Sequence, residues 1–295
     1  MNPTTSLNAS LAAGDPQAAL AQLQAEVRAN PADPKRRIFL FQLLCVLGQW
    51  PRALNQLDVA SQMDAEALPM AQTYREAISC ELLRTEVFAG RKVPLLFGEP
   101  ETWVALLIEA LLRDGQGDAA DARRLRDEAF EQAPASAGRI DGEAFEWIAD
   151  ADMRLGPVLE AVINGRYYWV PFNRLLRVEI EAPEDLRDMV WAPAHLVFEN
   201  GGDAVALIPS RYSGSEASGD GLLALSRKTE WSEPLPGFFT GLGQRVFAAS
   251  GGDKPLLDAR LIEWGEPQDD AGEAPSEAGS SASASSSTPP GAAPA

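Results

Sequence analysis

A pattern of small and apolar residues that recurs after 34 positions constrains the first half of this chain more than any other feature of its sequence. The recurring set is Gly14, Ala19, Leu20 and Leu23, then Gly48, Ala53, Leu54 and Leu57, with a third partial copy at Gly117, Ala122 and Pro134. Glycine permits a tight turn between two helices, and alanine lets those helices approach closely. The pattern therefore predicts pairs of helices that bury their apolar faces by stacking on one another.

The length of this period, with glycine between the helices and proline after the second one, resembles that of tetratricopeptide repeats. Between the copies, apolar residues at helical spacing continue through residues 68–89 and 101–113. We therefore expect a tetratricopeptide-like helical repeat array over residues 4–134, with the apolar stripes forming its core. Arrays of this kind present concave grooves that suit a peptide or a helix as ligand.

Residues 145–172 mark a change of architecture. Their first part carries apolar residues at helical spacing, so we expect a helix that ends or kinks at Gly156 and a second short helix that begins at Pro157. After Asn164 and Gly165 the side chains alternate between two faces, which is typical of a strand. Both faces of this strand are aromatic, so it is either covered on both sides or leaves one face for a partner.

Short strands separated by turn signals continue to about residue 265. Residues 200–203 lie between two apolar runs and predict a hairpin, and residues 250–253 predict a second hairpin turn. The predicted fold class is multidomain, α and α+β: the helical array is followed by a compact barrel-like antiparallel α+β domain at 143–265. The acidic tail at 266–295, rich in Ser, Ala and Pro, is expected to be disordered.

The charge of the chain excludes several kinds of partner. A formal net charge of -18, from 43 acidic and 25 basic residues, argues against nucleic acid and against anionic membrane surfaces. The N-terminus shows no signal-peptide pattern, and the most apolar run, Ile38 to Leu47, is too short for membrane insertion. We therefore expect a cytoplasmic protein. Cys45 and Cys80 lie in apolar helical patterns and are expected to be buried free thiols.

The residues do not predict a catalytic site, a metal site or a cofactor. The sole histidine, His195, has no nucleophile placed to pair with it, and the chain has no phosphate-binding glycine loop. Asp150 and Asp152 could bind a cation, but further carboxylates at ligand spacing are missing, and an ion pair with Arg154 fits better. A metal-dependent hydrolase that uses Asp150 and Asp152 stays open as a minor alternative.

Aromatic and arginine side chains cluster in the second domain and predict a partner-binding surface, because these residue types are enriched at binding hot spots. The candidates are Tyr167, Trp169, Phe172, Arg174, Arg187, Trp191, Arg211 and Tyr212. Arginine beside an aromatic ring suits cation-π stacking and carboxylate pairing. In the alternative interpretation, these arginines brace loops against acidic residues of the same domain.

Five long runs of sequence carry a resemblance to a known family. They are FEWIADADMRLGPVLEAVINGRYYWVPF (145–172), APEDLRDMVWAPA (182–194), ALIPSRYSGSE (206–216), LSRKTEW (225–231) and LLDARLIEW (256–264). In this order they resemble the ImpE/SciE (TagJ) family, an accessory component of bacterial type VI secretion systems. The resemblance extends over nearly all of residues 7–264 and does not include the tail.

The resemblance implies a cytoplasmic, non-catalytic protein that binds the small subunit of the contractile sheath through that subunit's N-terminal amphipathic helix. It implies an effect on sheath assembly, or on recycling of the sheath by the AAA+ unfoldase, to which the link is indirect. It also implies a tetratricopeptide-like N-terminal region and an α+β C-terminal domain, in agreement with the residue patterns. The alternative function is a general adaptor or chaperone in which the helical repeats alone bind peptides.

Overall fold

Seven α-helices precede most of the strands in residues 3–265, the part of the chain that the computed structural model describes. They are α1 (Pro3–Ala12), α2 (Pro16–Ala29), α3 (Pro34–Val46), α4 (Trp50–Met63), α5 (Leu68–Phe88), α6 (Thr102–Gly115) and α7 (Ala119–Gln132). Within these described residues, no helix has the length and apolar character needed to cross a membrane. The acidic tail predicted at 266–295 lies outside the described residues.

Aspartate followed by proline sets the start of two of these helices. The Asp15 carboxylate accepts a hydrogen bond from the Ala18 N–H at 2.8 Å, and the Asp33 carboxylate accepts one from the Lys35 N–H at 3.0 Å. These bonds satisfy N–H groups that have no partner inside the helix. The proline that follows each aspartate lacks an N–H, so it loses no hydrogen bond at the first helical position.

Three glycines turn the chain between successive helices. Gly14, Gly48 and Gly117 have φ angles of 75°, 63° and 82°, and they lie after α1, α3 and α6. A side chain would be strained in this left-handed conformation, which explains why the recurring pattern has glycine at these places. The predicted helical N-terminal region is confirmed, whereas its tetratricopeptide-like character stays a prediction.

The rest of the described chain consists mainly of strands. They are β1 (Leu95–Leu96), β2 (Gly138–Ile140), β3 (Glu143–Phe145), β4 (Ile148–Asp150), β5 (Val158–Ile163), β6 (Arg166–Pro171), β7 (Leu175–Ile180), β8 (Trp191–Phe198), β9 (Asp203–Pro209), β10 (Thr229–Leu235), β11 (Phe238–Gly243), β12 (Val246–Ala249), β13 (Lys254–Pro255) and β14 (Leu261–Trp264). A short helix, α8 (Gly221–Ala224), lies between β9 and β10. The hairpins predicted around residues 200–203 and 250–253 are confirmed as β8–β9 and β12–β13.

Nine of the described strands form one mixed sheet in the order β1-β6-β5-β9-β8-β7-β14-β2-β3. Strand β1 runs parallel to β6, and the other neighbours in the described sheet are antiparallel. Within residues 3–265, the edge strands β1 and β3 each pair on one side, so the sheet does not close. A barrel requires that its two edge strands pair with each other. Here the edge strands are only two and three residues long. The prediction of a barrel-like domain is therefore wrong, while a sheet-rich domain after the helices is confirmed. The parallel strand β1 lies outside the range predicted for that domain, 143–265.

Strand β14 joins the β2–β3 hairpin to the rest of this sheet. It pairs with β7 on one side and with β2 on the other, so that Ile262 lies opposite both Val178 and Ile140. Strand β3 in turn pairs with β2. In the described chain, the β2–β3 hairpin therefore belongs to the large sheet through β14.

Residues 158–163 form a strand and not the short helix predicted to begin at Pro157. Strand β5 pairs antiparallel with β6 from Val158 opposite Pro171 to Ile163 opposite Arg166. All six residues of β5 are buried, and an apolar run that is buried on both faces has no alternation to distinguish it from a helix. The two residues between the strands, Asn164 and Gly165, have φ angles of 50° and 71°. Asn-Gly in this conformation makes the tight turn that two-residue hairpins favour.

Replacing Asn164 by alanine is expected to destabilise the protein by about 1 kcal/mol or somewhat more, because a left-handed conformation is strained for alanine. Asn164→Gly serves as the matched control, because glycine adopts this conformation without strain. Urea unfolding of both variants measures the difference. Equal midpoints for Asn164→Ala and Asn164→Gly would contradict the strained turn.

Strand β6 is covered on both faces. Tyr167 and Trp169 pack with residues of the helices, whereas Val170 and Phe172 pack in a second apolar core on the opposite face of the sheet. Each of these four side chains is at most 1% exposed. Of the two alternatives for this aromatic strand, the structure shows the doubly covered one.

The helices pack on the sheet through aromatic rings. The ring centroid of Trp191 lies 6.0 Å from that of Trp50 and 5.6 Å from that of Tyr74. Cys45 and Cys80 belong to the same apolar core, where both are buried free thiols, as predicted. The helices and the sheet fall within one compact unit. The division into domains at 4–134 and 143–265 stays a prediction.

Candidate partner-binding site

A network of buried charges joins helix α5 to the large sheet. Glu160 of β5 lies at its centre and is fully buried. Arg84 donates from Nε and Nη2 to the two carboxylate oxygens of Glu160 at 2.6 and 2.9 Å, and Arg245 Nη1 lies 3.1 Å from Oε2. The Tyr167 hydroxyl donates to Glu160 Oε1 at 2.5 Å, and Trp169 Nε1 donates to that hydroxyl at 2.8 Å. Glu160 thus binds one arginine from the helices and one from the sheet domain.

The network continues to two aspartates that precede β5. Arg245 donates to Asp150 Oδ2 from Nε at 2.9 Å and from Nη2 at 2.5 Å. Asp152 Oδ2 accepts from the Gly241 N–H at 2.9 Å, and Asp152 Oδ1 accepts from Arg154 Nε at 2.8 Å. The predicted ion pair between Asp152 and Arg154 is therefore confirmed.

Burial and neighbouring charge oppose each other in this network. Burial raises the pKa of Glu160, but Arg84 and Arg245 outweigh it and hold the pKa below its ordinary value. Burial also raises the pKa of Tyr167 well above its ordinary value, so its hydroxyl stays protonated and donates to Glu160. At Asp150, burial raises the pKa to about 6 although Arg245 acts in the other direction. Glu160 is accordingly the firmly ionised centre of the network.

The aspartates of the network are not available for catalysis or for binding a metal. Asp150 and Asp152 are 3% and 0% exposed, and their oxygens accept hydrogen bonds from arginine side chains and backbone N–H groups. In the described part of the chain, no three His, Cys, Asp or Glu residues are grouped so as to hold a metal ion. A general base must reach a substrate proton, and neither carboxylate faces solvent. The geometry supports a structural role for both.

Six of the eight predicted partner-binding residues lie inside the protein. Tyr167, Trp169, Phe172, Trp191, Arg211 and Tyr212 are each at most 2% exposed. Arg211 donates to the Val46 carbonyl at 2.6 Å and to the Cys45 carbonyl at 3.0 Å, at the end of α3. In this structure Tyr167, Trp169, Trp191 and Arg211 join the helices to the sheet, whereas Phe172 packs in the core on the opposite face of the sheet. Their part in partner binding stays a prediction.

The other two predicted residues, Arg174 and Arg187, have side chains that are 27% exposed. Arg174 donates to Glu101 at 3.0 Å. Arg187 lies 3.0 Å from an Asp185 oxygen, and its guanidinium carbon lies 5.1 Å from the centre of the Tyr74 ring. Arg174 also donates to Glu199 at 2.6 Å, so each arginine pairs with an acidic residue of the predicted second domain, as the alternative interpretation expects, and Arg174 pairs in addition with the helical region.

An open apolar groove of about 500 Å³ lies beside the charge network, and we call it the Trp147 groove. Phe130, Trp147 and Met153 form its walls, and Ala149, Ala151 and Ala248 line it between them. The Trp147 side chain is 44% exposed. Phe239, which is 42% exposed, lies next to Met153 in the fold, because its backbone N–H donates to the Met153 sulfur at 3.3 Å. Exposed aromatic residues around an apolar concavity are typical of interaction sites.

Three elements build the Trp147 groove. Phe130 lies on the last turn of α7, while β4 pairs with β12 so that Ala149 lies opposite Ala248. Gly156 has a φ angle of 58°, and a Cβ atom there would overlap the Phe130 ring. Glycine at this position therefore lets α7 approach the sheet and gives the groove its depth.

Trp147 is a residue that the sequence analysis did not select, although it lies in the run at 145–172. We predicted a helix for the first part of that run, but it forms β3 (Glu143–Phe145) and β4 (Ile148–Asp150), and Trp147 lies between these two strands. A large aromatic residue on the solvent side of an amphipathic segment was the signal that could have found it.

The fold has a solved counterpart. A crystal structure of a protein from Vibrio parahaemolyticus matches with a TM-score of 0.81 and 24% sequence identity, and it covers 89% of this chain and 98% of that one. At this level of identity, the likeness shows the fold alone. The chain thus has a known architecture in which a helical region precedes a sheet-rich domain.

Sequence comparison then gives the family. The family model described as ImpE protein matches residues 142–263. The type VI secretion system accessory component TagJ of Pseudomonas aeruginosa is 51% identical over 260 residues, which is 88% of this chain and 90% of that protein. The chain belongs to the ImpE (TagJ) family.

Proposed function

We propose that this protein is a non-enzymatic accessory component of a bacterial type VI secretion system that binds the small subunit of the contractile sheath in the cytoplasm. It holds an amphipathic N-terminal helix of that subunit and thereby alters sheath assembly or recycling. Its link to the AAA+ unfoldase runs through the sheath subunit. The observation that carries this proposal is the 51% identity with TagJ over 88% of the chain.

The geometry of the site supports binding in preference to catalysis. Asp150 and Asp152, which a hydrolase would use, are buried and bonded to arginines. The neighbouring open surface is apolar and is walled by Phe130 and Trp147. Amphipathic helices bind in apolar grooves through side chains spaced three or four residues apart.

A general adaptor that binds peptides through its helical repeats alone is the second candidate, and the structure gives it less support. The chain's own residues lie against two of the turns between the helices. Leu222 packs directly on Gly14, and Glu216 packs on Gly48. Residues 211–227 thus cover the ends of α1 and α3 at these turns. The tetratricopeptide-like description of the helices remains part of this proposal.

A pull-down with purified sheath small subunit tests the proposed function. We expect the full chain to retain the intact subunit. We expect it to retain at least about tenfold less of a subunit that lacks its first helix, because a few apolar anchors supply most of the binding energy. In the control subunit, serine replaces the apolar residues of that helix, which keeps the length of the chain. Equal recovery of the intact and deleted subunits would contradict the proposal.

A further inference from the structure

Arg245 faces two buried carboxylates at once. It donates to Asp150 Oδ2 from Nε at 2.9 Å and from Nη2 at 2.5 Å, while its Nη1 lies 3.1 Å from Glu160 Oε2. The distance to Glu160 is short, but the angle is not that of a hydrogen bond, so among the described residues this buried Nη1 has no acceptor. A buried N–H without an acceptor costs free energy. Arg245 would therefore gain a bond by turning from Asp150 toward Glu160.

Two of the three carboxylates in this part of the network have other donors. Asp152 accepts four hydrogen bonds, three of them from Arg154. Glu160 accepts two from Arg84 and one from the Tyr167 hydroxyl. Hydrogen bonds of this kind stabilise the ionised form of a buried carboxyl group. Both carboxylates therefore remain ionised without help from Arg245.

Asp150 depends on Arg245. In residues 3–265 it accepts one hydrogen bond from the Asp152 N–H at 2.8 Å and its other two from Arg245. Burial and the nearby Asp152 carboxylate together raise the pKa of Asp150 to about 6, although Arg245 opposes them. Asp150 is thus the carboxylate of the three that takes up a proton first.

We propose that Asp150 and Arg245 form a proton-driven switch inside the fold: in mildly acid solution Asp150 takes up a proton from water, and Arg245 then turns to bind Glu160. The inference is independent of the proposed function, because it concerns only contacts within this chain. It gives the buried network two arrangements that differ by one proton.

Charged and titratable groups surround Asp150 and its partners from every neighbouring element. They are Arg245 from the β11–β12 connection, Asp152 and Arg154 from the turn after β4, Glu160 from β5, Arg84 from α5 and Tyr212 from the segment after β9, with Glu81 of α5 and Arg211 adding one charge of each sign further away. Before proton uptake, carboxylates and guanidinium groups balance in this set. Uptake leaves one positive charge in excess, which the formal net charge of -18 favours.

The switch has a defined effect on stability. A carboxyl group whose pKa is higher in the folded protein than in the unfolded chain adds stability that is fully present below its unfolded pKa and is lost as the pH rises through its folded pKa. For Asp150 this window extends from the ordinary value of 3.8 to about 6. Mild acid is therefore expected to strengthen the fold through Asp150, whereas Glu160, whose pKa is lowered, acts in the opposite direction.

NMR of the wild-type full chain tests the switch directly. The 13C signal of the Asp150 carboxyl carbon is expected to titrate in the folded protein with a midpoint between about pH 5 and pH 7. The Nε–H signal of Arg245 is expected to shift with the same midpoint, because its acceptor changes. A carboxyl signal that keeps its ionised position down to about pH 5 would overturn the proposal. Titration of Asp150 without a matching shift of Arg245 would also overturn the switch.

Asp150→Asn provides a second test, because asparagine has the same shape and cannot ionise. The unfolding equilibrium constant of the variant, divided by that of the wild type, is expected to rise about tenfold from pH 7 to pH 5, since only the wild type gains stability from the proton. Asp58→Asn is the matched control: it removes the same charge from a side chain that is 50% exposed, and we expect its ratio to stay within about twofold. A ratio for Asp150→Asn that is constant, or that falls in acid, would contradict proton uptake at this site. If Asp150→Asn does not fold, the titration of the wild-type chain decides.

Discussion

Replacing Glu160 by alanine is expected to lower the free energy of unfolding by about 3–5 kcal/mol, the usual effect of removing one partner from a buried ion pair. Glu160 is fully buried and binds Arg84 and Arg245. Without it, both guanidinium groups lose a buried counter-charge, and the Tyr167 hydroxyl loses its acceptor. Urea unfolding followed by circular dichroism measures the loss.

Asp58→Ala is the control for this measurement. It removes the ion pair of Asp58 with Arg75, whose side chains are 50% and 42% exposed. Water already solvates such a pair, so we expect the free energy of unfolding to change by less than about 1 kcal/mol. A Glu160→Ala variant that is no less stable than Asp58→Ala would show that the buried network does not stabilise the fold.

A fragment of residues 1–134 is expected to lack a cooperative fold and to bind no sheath subunit. In the full protein, Trp50 and Tyr74 pack on Trp191, and Arg84 binds Glu160. The fragment would expose these aromatic rings and leave Arg84 without its buried partner. We expect non-cooperative thermal unfolding and binding of an apolar dye, which are marks of a loosely packed chain.

The matched control for the fragment is residues 1–265, which keeps every contact described above. We expect it to unfold with the same midpoint as the full chain. Cooperative unfolding of residues 1–134, together with full binding, would instead support an independent helical domain and the adaptor function. This comparison therefore also tests the predicted domain boundary.

The helices were predictable because local signals agree with the packing. Gly14 and Gly48 mark turns, and Ala19 and Ala53, which follow each of them by five positions, are fully buried where helices cross. The β8–β9 hairpin was predictable for a similar reason, since alternating residues flank a polar, glycine-rich turn at 200–203. In these elements, residues near in sequence determine the conformation.

Strand β5 was not predictable from its hydrophobic pattern. Its sequence VLEAVI is buried on both faces, with Val158 and Val162 toward the helices and Leu159 and Ile163 toward the second core. Such a run shows neither the alternation of a half-exposed strand nor a polar face. The Asn-Gly pair that follows it was the better signal, because it is typical of a two-residue hairpin.

The buried network depends on residues that are far apart in the sequence. Arg84, Asp150, Glu160 and Arg245 meet only in the folded chain, and no local pattern relates them. The predicted binding residues illustrate the same difficulty, because Trp, Tyr and Arg are common both at interfaces and in packed interiors with satisfied polar groups. Their exposure decides between these roles, and exposure is a property of the fold.

Strand β14 is synthesised long after the strands with which it pairs. Strands β2 and β3 end at residue 145, whereas β14, which pairs with both β2 and β7, begins at residue 261. At about 5–20 residues per second, the ribosome adds the intervening segment in roughly 6–23 seconds. Until then, the β2–β3 hairpin and β7 present unpaired edges to any extended chain nearby. A released chain that ends before residue 261 would therefore be more prone to aggregation than one that ends after residue 264.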